Sequence, residues 1–314
     1  MRSIAYIILK NFIMKAIVTG GAGFIGSHLV NELVKKKYKV VVLDNLSSGT
    51  LKNLKSVKDK IKFFKCDLSK NKNLGKYFNK ADYIFHLAGL VQNSPNNKNL
   101  KKYYQANVLS TLNVLNAARK IKIKKFIYSA SASCYGNSIE IPTSETAAIN
   151  PQSPYAKTKW ISERIIMDYF KNYNFPVISL RFFNVYGSRA RIDGPYSGVI
   201  GIFIKQKKNK KPFTIVGNGK QTRSFVHVSD VVKAILKAGK CKAKGEIFNV
   251  GSQTSIEINK IAKILGGKKI NLPQRKGETK YSSANIKKIK KVLNWKPTVS
   301  IKSGLIALMQ ERET

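Results

Sequence analysis

Six short apolar runs divide the first 184 residues: KAIVTG (15–20), KVVVLD (39–44), IKFFKCD (61–67), ADYIFHLAG (81–89), KKFIYSAS (124–131) and FPVISLRFFN (175–184). Stretches whose apolar residues recur every three or four positions lie between them, notably GFIGSHLVNELVKKK after the first run and the segments near 100–121 and 155–173. Unbroken apolar runs suit strands buried on both faces, and the helical spacing between them supplies the covering layers. The pattern predicts an α/β fold of the doubly wound, Rossmann type with a parallel sheet. After about residue 185 the alternation loosens. Gly and Pro turns, a run KQKKNKK that reads as a solvated loop, and a late strand-like EIFNVG (246–251) predict a smaller mixed α/β substrate lobe. The expected division is residues 14–184 plus about 222–256 for the nucleotide domain, and about 185–221 plus 257–314 for the lobe. Residues 1–13 read as an extension, because the second methionine, Met14, leads directly into the first strand.

The first strand ends in TGGAGFIG, which places Gly20, Gly23 and Gly26 at a strand-to-helix turn. Glycine lets the backbone turn tightly and approach a pyrophosphate, and the helix N-terminus offers N–H groups to the phosphates. A tight structural turn would use glycine too, so the context decides: a strand precedes and a helix follows. The second strand ends at Asp44, 18 residues beyond Gly26. A carboxylate there can accept hydrogen bonds from both adenosine ribose hydroxyls and repels a 2′-phosphate, which predicts NAD over NADP.

Tyr155 and Lys159 stand one helical turn apart in PQSPYAKTKW. A free tyrosine titrates near pH ~10, too high for a base near neutrality. A nearby ammonium together with an oxidised nicotinamide stabilises the phenolate. The serines of YSASASCYG, at the end of the preceding strand, offer a third group.

Composition changes this picture little. The net charge is +42, yet only nine of 58 basic residues are Arg, and the lysines are spread along the whole length. Lys, Asn and Ile enrichment is what A/T-rich codons specify, so no nucleic-acid partner is expected, although the field attracts small anions. Cys66, Cys134 and Cys241 form no Cys-x-x-Cys pattern, so neither a disulfide framework nor a metal site is expected, and a cytoplasmic setting fits. No apolar run reaches the ~18 residues of a membrane span.

The ordered segments TGGAGFIGSHL, LDNLSSG, HLAG, NVLSTLNVL, PQSPYAKTK, LRFFNVYG, GNGKQTRSFVHVSD and LNWKP cover nearly all of the chain from Met14 onward. Together they resemble the extended short-chain dehydrogenase/reductases, and within them the UDP-glucose (UDP-hexose) 4-epimerases. The resemblance implies catalytic roles for Ser131, Tyr155 and Lys159, with Ser131 on the sugar hydroxyl and Tyr155 taking its proton. It implies cofactor contacts from Phe24, Ile25, Asp44, Asn45, Ser48, Gly49, Asp67 and Leu68, and also from Leu87, Ala88, Gly89, Asn107 and Phe183. Val91 stands where some relatives carry a lysine that touches the cofactor. For the nucleotide sugar it implies Asn184, Arg223, Arg275 and Glu278, and it places Ser282 at the position that gates sugar size, where a small residue leaves room for an N-acetyl group. The guanidinium fork suits a diphosphate. His227 reads as a packed strand residue, Cys134 as core and Lys157 as background.

The implied activity is NAD-dependent 4-epimerisation of a UDP-hexose by transient oxidation at C4, in a homodimer paired through the helices near 100–121 and 155–173. Ala132 and Ser133 stand where 4,6-dehydratases carry Asp-Glu, which disfavours dehydration. UDP-glucuronate decarboxylation is an alternative, because GNGKQTRSF also resembles that subgroup. An NAD-responsive anion-binding protein is the non-enzymatic one.

Overall fold

A computed structural model of the chain describes residues 13–70, 73–91, 99–192, 198–274 and 280–310. Seven strands form one sheet in the order β10-β6-β5-β4-β1-β2-β3, and every pairing is parallel. They are β1 (Lys15–Thr19), β2 (Lys39–Asp44), β3 (Ile61–Lys65), β4 (Tyr83–His86), β5 (Lys125–Ser131), β6 (Val177–Phe182) and β10 (Glu246–Val250). All seven apolar runs of the sequence are present as its strands. The order reverses between β1 and β4, and in such sheets a ligand crevice opens at that switch point beyond the strand ends.

Alternate residues of β1 explain the layering. Ala16 and Val18 pack with α1 (Phe24–Lys35) on one face, while Ile17 packs toward the other with Val114, Leu115 and Ile166. In chain order the remaining helices are α2 (Gly75–Phe78), α3 (Leu100–Tyr103), α4 (Ser110–Arg119), α5 (Pro154–Tyr173), α6 (Val199–Lys208), α7 (Val228–Lys240), α8 (Ile258–Leu265), α9 (Lys287–Leu293) and α10 (Ile301–Gln310). The helical stretch expected near 100–121 is divided: residues Tyr104–Leu109 form a π-helical segment between α3 and α4, an irregularity common at functional sites.

The later chain builds smaller sheets. β7 (Asn184–Tyr186), β9 (Thr222–His227) and β11 (Ser255–Glu257) make one, and β8 (Phe213–Val216) with β12 (Lys269–Leu272) makes another. Phe203, Phe213, Ile261, Leu265 and Leu305 form a separate hydrophobic cluster there. The run KQKKNKK is not simply a solvated loop, since its first four residues are the last turn of α6. Lys207 explains this: its ammonium donates to the carbonyls of Leu265 and Gly266 at the end of α8, tying the two helices together. His227 closes β9 and caps α7, its Nδ1 accepting from the Ser229 amide. Residues 1–12 of the expected extension lie outside the described residues.

One buried carboxylate secures residues 298 and 299 to α7. Asp230 on α7 accepts from Thr298 N (2.7 Å), Thr298 Oγ1 (2.7 Å), Val299 N (2.8 Å) and Lys233 Nζ (3.0 Å). Burial raises this carboxyl, but the bonds from Val299 and Thr298 outweigh it and hold the group below its usual value. Such a carboxylate stabilises the fold above the unfolded aspartate value near pH ~4 and loses that contribution as the pH falls. Asp230→Ala should cost roughly 3 kcal/mol, read from urea titrations at pH 7. The deficit should shrink as the pH falls below the unfolded aspartate value and through the lower native one.

Candidate active site

The crevice at the switch point is a cleft of about 2010 Å³ that continues into the later lobe. Gly20 adopts φ +70°, and a Cβ on it would lie 2.7 Å from Ala88 N. At Gly26 a Cβ would stand 2.1 Å from the Gly20 carbonyl oxygen. Any other side chain would therefore push the turn away from β4 or α1 away from the turn. Gly23 is the N-cap of α1 and no side chain caps that terminus, a geometry that suits a pyrophosphate.

Asp44 closes β2. Its Oδ2 accepts from Ala22 N at 2.9 Å and its Oδ1 from Leu46 N at 2.8 Å, so each oxygen keeps acceptor capacity for a ribose hydroxyl. Burial raises its pKa, opposed by those two amide bonds. Asn45, Ser48, Asp67, Leu68, Leu87, Ala88, Gly89 and Phe183 line the cleft, as do Gly20, Gly23, Phe24, Ile25, Gly26 and Val91. These residues fit a dinucleotide: a cradle that added Cβ atoms would fill, and a carboxylate at the end of the neighbouring strand.

Two residues implied as cofactor contacts are not among the lining residues. Gly49 packs on the turn, where a Cβ would be 2.7 Å from the Ala22 carbonyl carbon. Asn107 is buried: its Oδ1 accepts from Leu90 N (2.7 Å) and its Nδ2 donates to Thr158 Oγ1 (2.9 Å). It thus clamps the loop after β4 to α5.

A second support was missed in the sequence because His86 reads only as part of a strand. Thr111 Oγ1 donates to the Asn107 carbonyl (2.6 Å), so it accepts from His86 Nε2–H (2.9 Å). His86 Nδ1 then accepts from Thr19 Oγ1 (2.7 Å), whose oxygen takes the Ala88 N–H (3.3 Å). Burial pushes the imidazole down to about 3, with the Lys159 charge adding to the effect. His86 is therefore a neutral strut behind the Ala88 loop.

The chemical groups meet where β5 ends and α5 begins. Ser153 caps α5, accepting from Ala156 N (3.2 Å), and Pro154 opens the first turn, while Asn174 closes the helix in the left-handed conformation. Tyr155 falls in the first turn and Lys159 in the next. Ser131 ends β5, shares a hydrogen bond with Ser133 Oγ at 2.8 Å, and lines the same cleft as Tyr155. Burial holds the Tyr155 phenol above its ordinary value, the Ser131 hydroxyl works the other way, and Cys134 raises it further. Burial also lowers Lys159 to about 7, partly opposed by Glu163. The Lys159 ammonium lies over the Tyr128 ring, 4.3 Å from its centroid. The Tyr/Lys spacing alone therefore does not lower the phenol. Its ionisation needs a further positive charge in the cleft.

Toward the later lobe, Asn184 and Arg223 line the cleft. Asn184 Nδ2 donates to Ser224 O (3.2 Å) and Arg223 Nη1 to Thr222 O (2.9 Å). Arg189 and Arg191 line it too. Their signal was available, since Arg is scarce in a chain that takes most of its positive charge from Lys. Ser282 is not among the lining residues. Its loop instead backs Phe183, for Ala284 and Phe183 both crowd Gly251. Arg275 and Glu278 lie outside the described residues.

Fold and site define a dinucleotide-binding α/β enzyme with a serine, tyrosine and lysine at the cofactor cleft. The NAD dependent epimerase/dehydratase family matches residues 16–251, and the chain belongs to that family. It is similar to the UDP-glucose 4-epimerase of Thermotoga maritima solved with UDP-glucose, at 33% identity and TM-score 0.88, over 93% of this chain and 96% of that one. It is also similar to the UDP-glucuronic acid 4-epimerase of Bacillus cereus solved with UDP-glucuronic acid and NAD, at 34% identity and TM-score 0.86, over 94% and 97%. The UDP-N-acetyl-alpha-D-glucosaminuronate decarboxylase of Bacillus cytotoxicus is 32% identical over 94% of this chain and 97% of its own length.

The Lys159 value carries a stability consequence. Between about 7 and the ordinary lysine value of 10.5 the unfolded chain binds the extra proton, so wild-type stability should rise with pH through that window. Lys159→Met should raise the thermal midpoint of the cofactor-free protein at pH 7 and flatten this rise, as scanning calorimetry from pH 7 to 10 would record.

Proposed function

We propose that this protein is an isomerase that interconverts UDP-hexoses at C4 with bound NAD. The observation that carries the reading is the meeting of Ser131, Tyr155 and Lys159 in one cleft with the glycine turn and Asp44. When bound, NAD supplies a hydride acceptor that returns the hydride and ends unchanged. Tyr155 takes the proton of the sugar hydroxyl while Ser131 orients that hydroxyl and bonds to the phenolate. Lys159 holds positive charge beside them. Return of hydride to the opposite sugar face requires loose contacts to the sugar, so recognition falls on the UDP moiety. Asn184 and Arg223, with Arg275 and Glu278 by resemblance, are assigned to it.

A second reading has its own support. Arg189 and Arg191 add guanidinium charge to the cleft wall, and two of the relatives named above act on uronates. An acidic sugar would then be the substrate, either epimerised or decarboxylated. Purified protein assayed with UDP-glucose, UDP-galactose, UDP-N-acetylglucosamine and UDP-glucuronate should interconvert the first pair. Tyr155→Phe should lower kcat about a thousandfold. Activity on UDP-glucuronate alone, or release of carbon dioxide, would select the second reading. Ser282→Tyr should lower kcat/KM for the acetylated sugar relative to the plain one; an unchanged ratio would remove Ser282 from the gate.

A homodimer is the proposed assembly. The helices of 100–119 and 154–173 leave Leu100, Tyr104, Leu109 and Tyr173 exposed. Sedimentation should give twice the chain mass, reduced to one by Leu109→Lys.

A further inference from the structure

Helix α5 carries a third ionisable group on the face that holds Tyr155 and Lys159. Glu163 stands four residues beyond Lys159 and is as deeply buried, with its side chain 3% exposed. Its carboxylate is saturated. Arg181 Nε donates to both oxygens at 3.1 Å, Arg181 Nη2 to Oε1 at 2.5 Å, and Ser179 Oγ to Oε2 at 2.7 Å. Arg181 and Ser179 belong to β6, where Ala130 pairs with Arg181 and Ser131 with Phe182. The ion pair therefore joins the helix of Tyr155 and Lys159 to the strand that neighbours Ser131. The other end of Arg181 is fixed as well, with Nη1 donating to Tyr135 Oη (2.8 Å) and to the Glu145 carbonyl (3.1 Å).

Burying such a pair is costly, and well-packed apolar residues would serve stability as well or better. Its placement suggests a service to the site. Tyr155 and Glu163 stand one turn to either side of Lys159 on its own helix, and Tyr128 from β5 and His86 from β4 face it. Arg181, Ser179, Cys134 and Tyr128 face Glu163. Of those facing Lys159, His86 is neutral and Tyr155 is held protonated, so Glu163 is the negative charge that favours the ammonium.

We propose that Glu163 is a positioning residue of the Tyr155/Lys159 pair: braced by Arg181 and Ser179, it fixes the helix against the Ser131 strand and sets a carboxylate one helical turn from Lys159. The effect on catalysis rests on the epimerase reading, but the effect on Lys159 does not.

The test uses Glu163→Gln, with the double variant Glu163→Gln, Arg181→Gln in case the lone substitution strands a buried guanidinium. In the full chain without cofactor or substrate, the pH dependence of Lys159 acetylation by acetic anhydride is read by peptide mass spectrometry. The titration midpoint should fall by about one unit in both variants. In turnover assays kcat should drop and its alkaline limb should move the same way, with KM for the UDP-sugar little changed. An unmoved midpoint in a folded variant overturns the proposal, as does recovery of the wild-type midpoint in the double variant. Failure of both variants to fold also overturns it, because the pair then serves stability alone. A shifted midpoint without turnover of any nucleotide sugar would refute the function reading and leave this one standing.

Discussion

The inner face of α5 is polar, and much of the site is arranged to satisfy it. Thr158, Lys159, Ser162 and Glu163 are all buried against the sheet. Unpartnered, each would cost more than its helix packing returns. Thr158 and Ser162 are matched by Asn107, Glu163 by Arg181 and Ser179, and Lys159 by the Tyr128 ring. The partners come from three other elements: the π-helical segment, β5 and β6. A helix so held cannot slide without breaking several buried bonds at once, and that is what fixes Tyr155 against Ser131.

The same reasoning extends to the cofactor end. Asn107 joins α5 to the Leu90 loop, and His86 joins Thr19 at the end of β1 to Thr111 on α4. The two meet at the Asn107 carbonyl, which accepts from both Thr111 and Ser162. The loop after β4 and the helix of Tyr155 and Lys159 are thus parts of one hydrogen-bonded unit. Low dielectric makes each link strong when satisfied and expensive when broken. In the proposed reaction such rigidity matters because proton transfer and hydride transfer both depend on close placement of the groups.

The seven strands, the glycine turn, Asp44 and the Tyr155/Lys159 pair were legible because each depends on local pattern: apolar runs, a turn without Cβ atoms, a strand end, a helical spacing. Arg189 and Arg191 were overlooked for a different reason. Nothing local distinguishes a cleft arginine from a surface one, although their scarcity was a usable hint. KQKKNKK was misread because its composition is that of a loop, while a contact to Leu265 and Gly266, far away in sequence, makes its first half helical. Asn107 and Gly49 show the converse. Asn107 is bonded to Leu90 and Thr158, and Gly49 packs on Ala22, contacts that local pattern does not reveal.

The sequence by itself determined the fold class and the glycine turn at a strand end, and it proposed Ser131, Tyr155 and Lys159 as the reacting groups, since these follow from periodicity and from side-chain chemistry at short spacing. Only the tertiary structure decided their states. Burial raises the Tyr155 phenol and brings Lys159 to about 7, which the spacing of a tyrosine and a lysine cannot reveal. The same holds for Glu163 and His86. Their roles come from partners 18 and 67 residues away in the chain, and only folding brings those distances within a hydrogen bond.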